Sequence, residues 1–148
     1  MDYFRQGYNC CQSVVMAFSD ITGLDAGTLA TIASGFGGGM GRLREMCGAF
    51  SGMVALSGFI SPAADPSSHA SRTANYALVQ EFASEFRSRN GGSIVCRDLL
   101  GLTGGVKESP APSQRTSEYY KKRPCAQIVG TAAALVAEYL LKAADSIR

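Results

Sequence analysis

The chain has 148 residues, 46% of them apolar and 18% charged, which is enough for a hydrophobic core and excludes a disordered or highly charged surface protein. Fourteen Lys and Arg against twelve Asp and Glu leave a net charge of +2, far short of the basic excess needed to neutralise many phosphates, so nucleic acid is excluded as a partner. One domain spanning 1–148 is expected.

Taken in chain order, the sequence reads as helices. No basic stretch followed by an apolar run opens the chain, so no signal peptide is expected. A short helical piece at 2–6 precedes Asn9-Cys10-Cys11-Gln12, an Asn-x-x-Gln capping box, and a helix at 10–22 that Gly23 stops. Asp25 caps a second helix through Leu29, Ile32 and Ala33, which runs into Gly35-Phe36-Gly37-Gly38-Gly39-Met40-Gly41, a tract that must be irregular backbone. Residues 45–60 are apolar nearly all round, as in the central helix of a bundle. Gly48 and Gly52, one turn apart, would admit another backbone, with Ala55 and Gly58 continuing that surface.

A long amphipathic helix follows at 67–90, with Ala70, Ala74, Leu78, Phe82 and Phe86 on one face and Gly91-Gly92 at its end. A helical turn at 94–100 precedes a long polar loop at 103–117, and Pro124 opens a last helix from Cys125 through Leu140. The apolar windows 47–60 and 128–137 fall short of the ~20 residues of a membrane helix. No alternating strand pattern occurs. The expected fold is all-α, a compact bundle of five or six helices with one glycine-rich loop and one long polar loop. A cytoplasmic location away from membranes is expected.

Chemistry concentrates in the cysteines. There are five, an odd number in a chain without secretory features, and no Cys-x-x-Cys spacing that would mark a zinc ribbon, a thioredoxin-like site or a haem attachment. Cys10, Cys47, Cys96 and Cys125 each fall near a predicted helix N-terminus, where free N–H groups and the helix dipole favour a thiolate. Arg42 and Arg44 precede Cys47, Arg97 adjoins Cys96, and Lys121, Lys122 and Arg123 lead to Cys125. These four are the candidate metal ligands, with Cys47, expected to be the most acidic thiol, and Cys96 as candidate catalytic residues. Cys11 joins Val14, Val15 and Phe18 on the core face and is expected to be structural.

Phe4-x-x-Gly7-Tyr8-Asn9-Cys10, the glycine tract, Cys47-Gly48-Ala49-Phe50-Ser51-Gly52, Cys96-Arg97-x-Leu99-Leu100-Gly101 and Cys125 together resemble the C_GCAxxG_C_C family of redox-active proteins. The resemblance implies an all-helical domain whose four family cysteines are Cys10, Cys47, Cys96 and Cys125, and it implies no substrate. The family is also similar to a region of split-Soret cytochromes, which brings an iron–sulfur centre into consideration. Covalent haem is discounted because no Cys-x-x-Cys-His occurs. Ala126 stands where the family pattern places Pro.

Gly37, Gly38 and Gly39 are the candidate cofactor-binding backbone, turning N–H groups toward a sulfide, thiolate or anion, with close packing as the alternative. They do not form a nucleotide loop, since Met40 stands where a third glycine is required and no Gly-Lys-Ser or Gly-Lys-Thr occurs. His69 is expected at the surface or as a cap, and the Tyr119-Tyr120-Lys121-Lys122-Arg123 run as a solvated approach to the last helix.

Three functions stay open at this point. One is electron transfer by an iron–sulfur cluster or soft metal held by the four cysteines, with a redox partner protein. The second is metal-free thiol–disulfide exchange. The third is a dimeric binding or structural module with inert buried cysteines. A homodimer is expected because the apolar central and last helices offer more surface than one small bundle covers.

Overall fold

The computed structural model describes residues 1–105 and 108–148; Val106 and Lys107, part of the loop expected at 103–117, lie outside the described residues. Asn9 builds the expected capping box. Its Oδ1 accepts from the Gln12 N–H at 2.9 Å while Gln12 Oε1 accepts from the Asn9 N–H at 2.8 Å. This starts α2 (Cys10–Met16), after the single turn α1 (Asp2–Arg5). The predicted helix at 10–22 is in fact two, because Phe18 leaves helical geometry (φ −123°, ψ 36°) with its ring packed against the core, and α3 (Ser19–Thr22) follows as a separate turn. Asp25 then caps α4 (Ala26–Ile32) as expected.

The glycine tract forms a 3-10 turn (Ser34–Phe36) and the short turn α5 (Gly37–Met40), in which Gly38 and Gly39 take φ of 65° and 68°. Beyond it α6 (Gly48–Ile60) occupies the centre of the molecule, against α2, α7 (His69–Arg89) and α10 (Cys125–Ser146). Its Ala49, Phe50, Met53 and Leu56 are buried, and burying each of the larger three contributes about 1.5–3 kcal/mol. Phe86 of α7 packs on Phe50 with ring centroids 5.5 Å apart. Ala70 and Ala74, expected on the buried face of α7, are exposed, because its first turns reach beyond the core. Asn75 there instead donates to the carbonyls of Ser57 and Ser61, closing the end of α6.

Two short helices complete the chain, α8 (Cys96–Leu99) and α9 (Ser117–Lys122). The fold is all-α. Among the described residues it comprises ten α-helices, not five or six, because single turns stand apart from the long helices. Among the described residues only α10 is long and apolar enough, by length and composition alone, to cross a membrane, and its Ile128, Val129, Ala132, Leu135 and Val136 are buried in this core.

The glycines of α6 explain how α2 approaches it. A Cβ on Gly48 would lie 2.8 Å from the Phe36 carbonyl oxygen and 3.1 Å from Cys10 Cβ, and one on Gly52 would lie 2.8 Å from Val14 Cβ. The small-residue surface ends there, since Ala55 and Gly58 are exposed and a Cβ on Gly58 would meet nothing within 4 Å. Gly52→Ala should therefore lower unfolding free energy by about 1–3 kcal/mol through overpacking, and Gly58→Ala should raise it by up to about 1 kcal/mol. Urea unfolding checks both; equal effects would contradict the packing described.

Candidate functional site

Cys10, Cys47, Cys96 and Cys125 come from four separate segments and line one cavity of about 20 Å³, walled by Gly39, Gly48, Leu99, Leu100 and Ile128. Each is placed by a helix start: Cys10, Cys96 and Cys125 are the first residues of α2, α8 and α10, and Cys47 is the cap of α6. All are free thiols, Cys47 and Cys96 buried, Cys10 and Cys125 half-buried. Among the described residues no three His, Cys, Asp or Glu side chains are placed to share one ion.

A short antiparallel pairing locks two of the four together. Met46 bridges Val95, the Cys47 N–H donates to the Ile94 carbonyl at 2.8 Å, and the Cys96 N–H donates to the Glu45 carbonyl at 2.6 Å. Arg97 N–H donates to the Arg44 carbonyl at 3.1 Å. Gly39 seats against this pair, since a Cβ there would stand 2.5 Å from Cys96 Cβ and 2.9 Å from the Arg44 Cα. The glycine is required for that approach and for its φ of 68°. Asn9 fixes the other side: its Nδ2 donates to the Ser34 carbonyl at 3.0 Å, and a Cβ on Gly37 would strike its side chain at 2.6 Å.

At Cys47 burial dominates and pushes the thiol up to about 11, while the backbone N–H groups of Phe50 and Ala49 at the start of α6 oppose the rise, so the helix-start argument holds in sign only. The expectation that Cys47 is the most acidic thiol is thus corrected. Burial also raises Cys96, against the opposing hydrogen bond from Arg44, whose Nη1 lies 3.8 Å from Cys96 Sγ. Cys11, buried in the core as expected, is pushed up by burial to about 12.

Cys10 and Cys125 face one cavity and their interaction sets both thiols. It raises Cys10, together with burial, well above its ordinary value and lowers Cys125 to about 7, with Arg123, Arg115 and Arg44 adding to the lowering. Cys125 is therefore the most acidic thiol of the set.

Of the predicted glycines, Gly39 lines the cysteine cavity, whereas Gly37 and Gly38 line a larger neighbouring cleft of about 400 Å³. Arg42, Arg44, Arg115, Tyr119 and Arg123 also line that cleft. Tyr119 and Arg123 are thus not a solvated approach, and Arg115, inside a loop without periodicity, carried no signal in the sequence. Arg97 points away from the cysteines and pairs with Glu45 at the surface at 3.0 Å. His69 is exposed, as expected.

A family model described as "Putative redox-active protein (C_GCAxxG_C_C)" matches residues 8–139. No curated protein and no solved structure matches the chain.

Alkylation of the reduced, metal-free protein should label Cys125 first, at a rate that rises as pH passes through about 7 and its thiolate forms. Cys10→Ala removes the interaction that lowers Cys125 most and should move that midpoint upward. Mass mapping against pH checks both; first labelling at Cys47 would contradict the electrostatics described.

Proposed function

This chain belongs to the C_GCAxxG_C_C family of redox-active proteins, and from that premise we propose that Cys10, Cys47, Cys96 and Cys125 act as one electron-transfer centre. In this reading they hold an iron–sulfur cluster or a soft metal. The observation that carries the reading is the convergence of four cysteines, far apart in sequence, on one cavity.

The donor chemistry fits such a group, though the sulfurs are not spaced to share one ion as they stand: four sulfurs, with apolar walls from Leu99, Leu100 and Ile128. A cavity of about 20 Å³ takes a body about the size of one water, so loading requires the thiols to turn inward and the pocket to widen. When bound, the group supplies one-electron transfer to a redox partner protein. The chain's own residues do the rest. Leu99, Leu100 and Ile128 exclude water, and Arg44 offsets thiolate charge at Cys96, which favours the reduced state.

The placement of Cys10 and Cys125 on one cavity, with Cys125 lowered to about 7, favours a second reading, thiol–disulfide exchange on that pair. The Cys125 thiolate attacks one sulfur of a partner's disulfide and releases the other as a thiolate. The Cys10 thiolate, formed by proton loss to solvent, then displaces the mixed disulfide. A Cys10–Cys125 disulfide and a reduced partner result. A reducing compartment such as the cytoplasm would keep these thiols free between turnovers. We also propose a homodimer, supported by the exposed apolar face of Ile32, Phe36 and Phe59.

Anaerobically purified protein, reconstituted with iron and sulfide, should show broad visible absorption with bound iron. Cys47→Ser should lose both while keeping its helical circular dichroism, and sedimentation at micromolar concentration should show the dimer. A colourless, iron-free product would overturn the cluster reading and leave the disulfide reading in place.

A further inference from the structure

The cleft beside the cysteine cavity carries more positive charge than the described residues balance. Four guanidinium groups, Arg42, Arg44, Arg115 and Arg123, line about 400 Å³, a volume suited to a small-molecule ligand. One carboxylate answers them. Glu108 lies 3.0 Å from Arg42 Nη2 and 2.6 Å from Arg44 Nη2, and the Arg44 hydrogen bond with both charges lowers its carboxyl below the ordinary value.

The remaining donor capacity is specific. Arg44 is only 8% exposed, yet its Nε has no hydrogen-bond partner among the described residues, a cost a folded protein rarely carries without use. Arg123 has no hydrogen bond or ion pair among the described residues and rests with its guanidinium 4.8 Å from the Tyr119 ring centroid. Arg115 is a fixed charge, donating to the carbonyls of Phe4 and Tyr8 while stacked 4.4 Å over Phe4 and 4.7 Å over Tyr119.

The backbone is strained to present two of these groups. Arg42 and Arg44 take φ of 68° and 59°, a left-handed geometry that costs a non-glycine residue free energy and collects at functional sites. Gly38 lies beneath them, since a Cβ there would stand 3.0 Å from the Arg42 side chain.

We infer that this cleft binds a small molecule carrying oxyanion groups, carboxylate or phosphate, between Arg44 and Arg123. Glu108 shows that the Arg42–Arg44 fork accepts a carboxylate, and arginine is suited to both oxyanions. The ligand would share Arg44 with the cysteine centre, because that side chain also donates to Cys96 Sγ. The inference names a ligand class for the region beside the proposed redox centre, but equilibrium binding does not require that centre to be loaded.

The test is calorimetric titration of the reduced, metal-free full chain at low ionic strength with succinate in one arm and inorganic pyrophosphate in the other. Saturable binding of either supports the inference, and the preferred arm identifies the oxyanion. Arg123→Gln should weaken binding by about tenfold, the loss of one charge-assisted hydrogen bond. The exposed Arg87→Gln should leave it unchanged. Glu108→Gln should tighten binding, because it removes the competing carboxylate; a merely structural Glu108 would give weaker binding instead. No saturable binding in either arm, or binding indifferent to Arg123→Gln, would overturn the inference. Normal iron loading alongside that result would leave the redox reading standing.

Discussion

The pairing of 44–47 with 94–97 is the constraint on which the site depends. Three backbone hydrogen bonds, from Cys47 to Ile94, Cys96 to Glu45 and Arg97 to Arg44, hold together two segments that lie on opposite sides of α6 and α7 in sequence. Without it, the buried thiols Cys47 and Cys96 would have no fixed relation, and Arg44 would not reach Cys96. Gly39 permits the pairing, since any side chain there would collide with Cys96 and with the Arg44 backbone. Gly48 then lets Cys10 approach from α2, and the start of α10 brings Cys125. The Cys-Gly-Ala-x-x-Gly element is therefore a packing motif as much as a chemical one: Cys47 supplies a sulfur, and Gly48 and Gly52 supply the room beside it.

Competition between burial and hydrogen bonding sorts the sulfurs. Cys47 sits at the start of α6, where backbone N–H groups favour a thiolate, and remains a weak acid because burial costs the thiolate more than that setting returns. Cys125 lies half-buried beside Cys10, Arg123 and Arg115, and there partner interactions win. The cavity thus contains one acidic thiol and three that need a further positive charge, a metal ion or a neighbouring oxidation step to give up their protons.

Much of this architecture was legible in the residues. The Asn9–Gln12 capping box, Asp25 as a cap, the apolar helix after Cys47 and the amphipathic helix ending at Gly91 are local patterns, fixed by nearest neighbours in the chain. Gathering of the four cysteines followed from their shared place at helix starts together with the family motif. What escaped depended on long-range geometry. Phe18 breaks a helix whose composition permits continuation, because its ring packs against the core. Arg115 sits in a stretch without periodicity, and only the folded chain stacks it on Phe4. The order of acidity among the thiols turns on burial depth, which no local spacing encodes.

The claim that four cysteines act as one set and the fifth stands outside it is tested most directly by cadmium titration of the reduced protein under argon, read as thiolate-to-metal absorption. The account predicts that Cys10→Ser, Cys47→Ser, Cys96→Ser and Cys125→Ser each lose about a quarter of that absorption and at least about tenfold in affinity, as expected for a shared four-sulfur site, while Cys11→Ser matches the parent chain. Equal loss in Cys11→Ser, or an unchanged titration in any one of the other four, would contradict it.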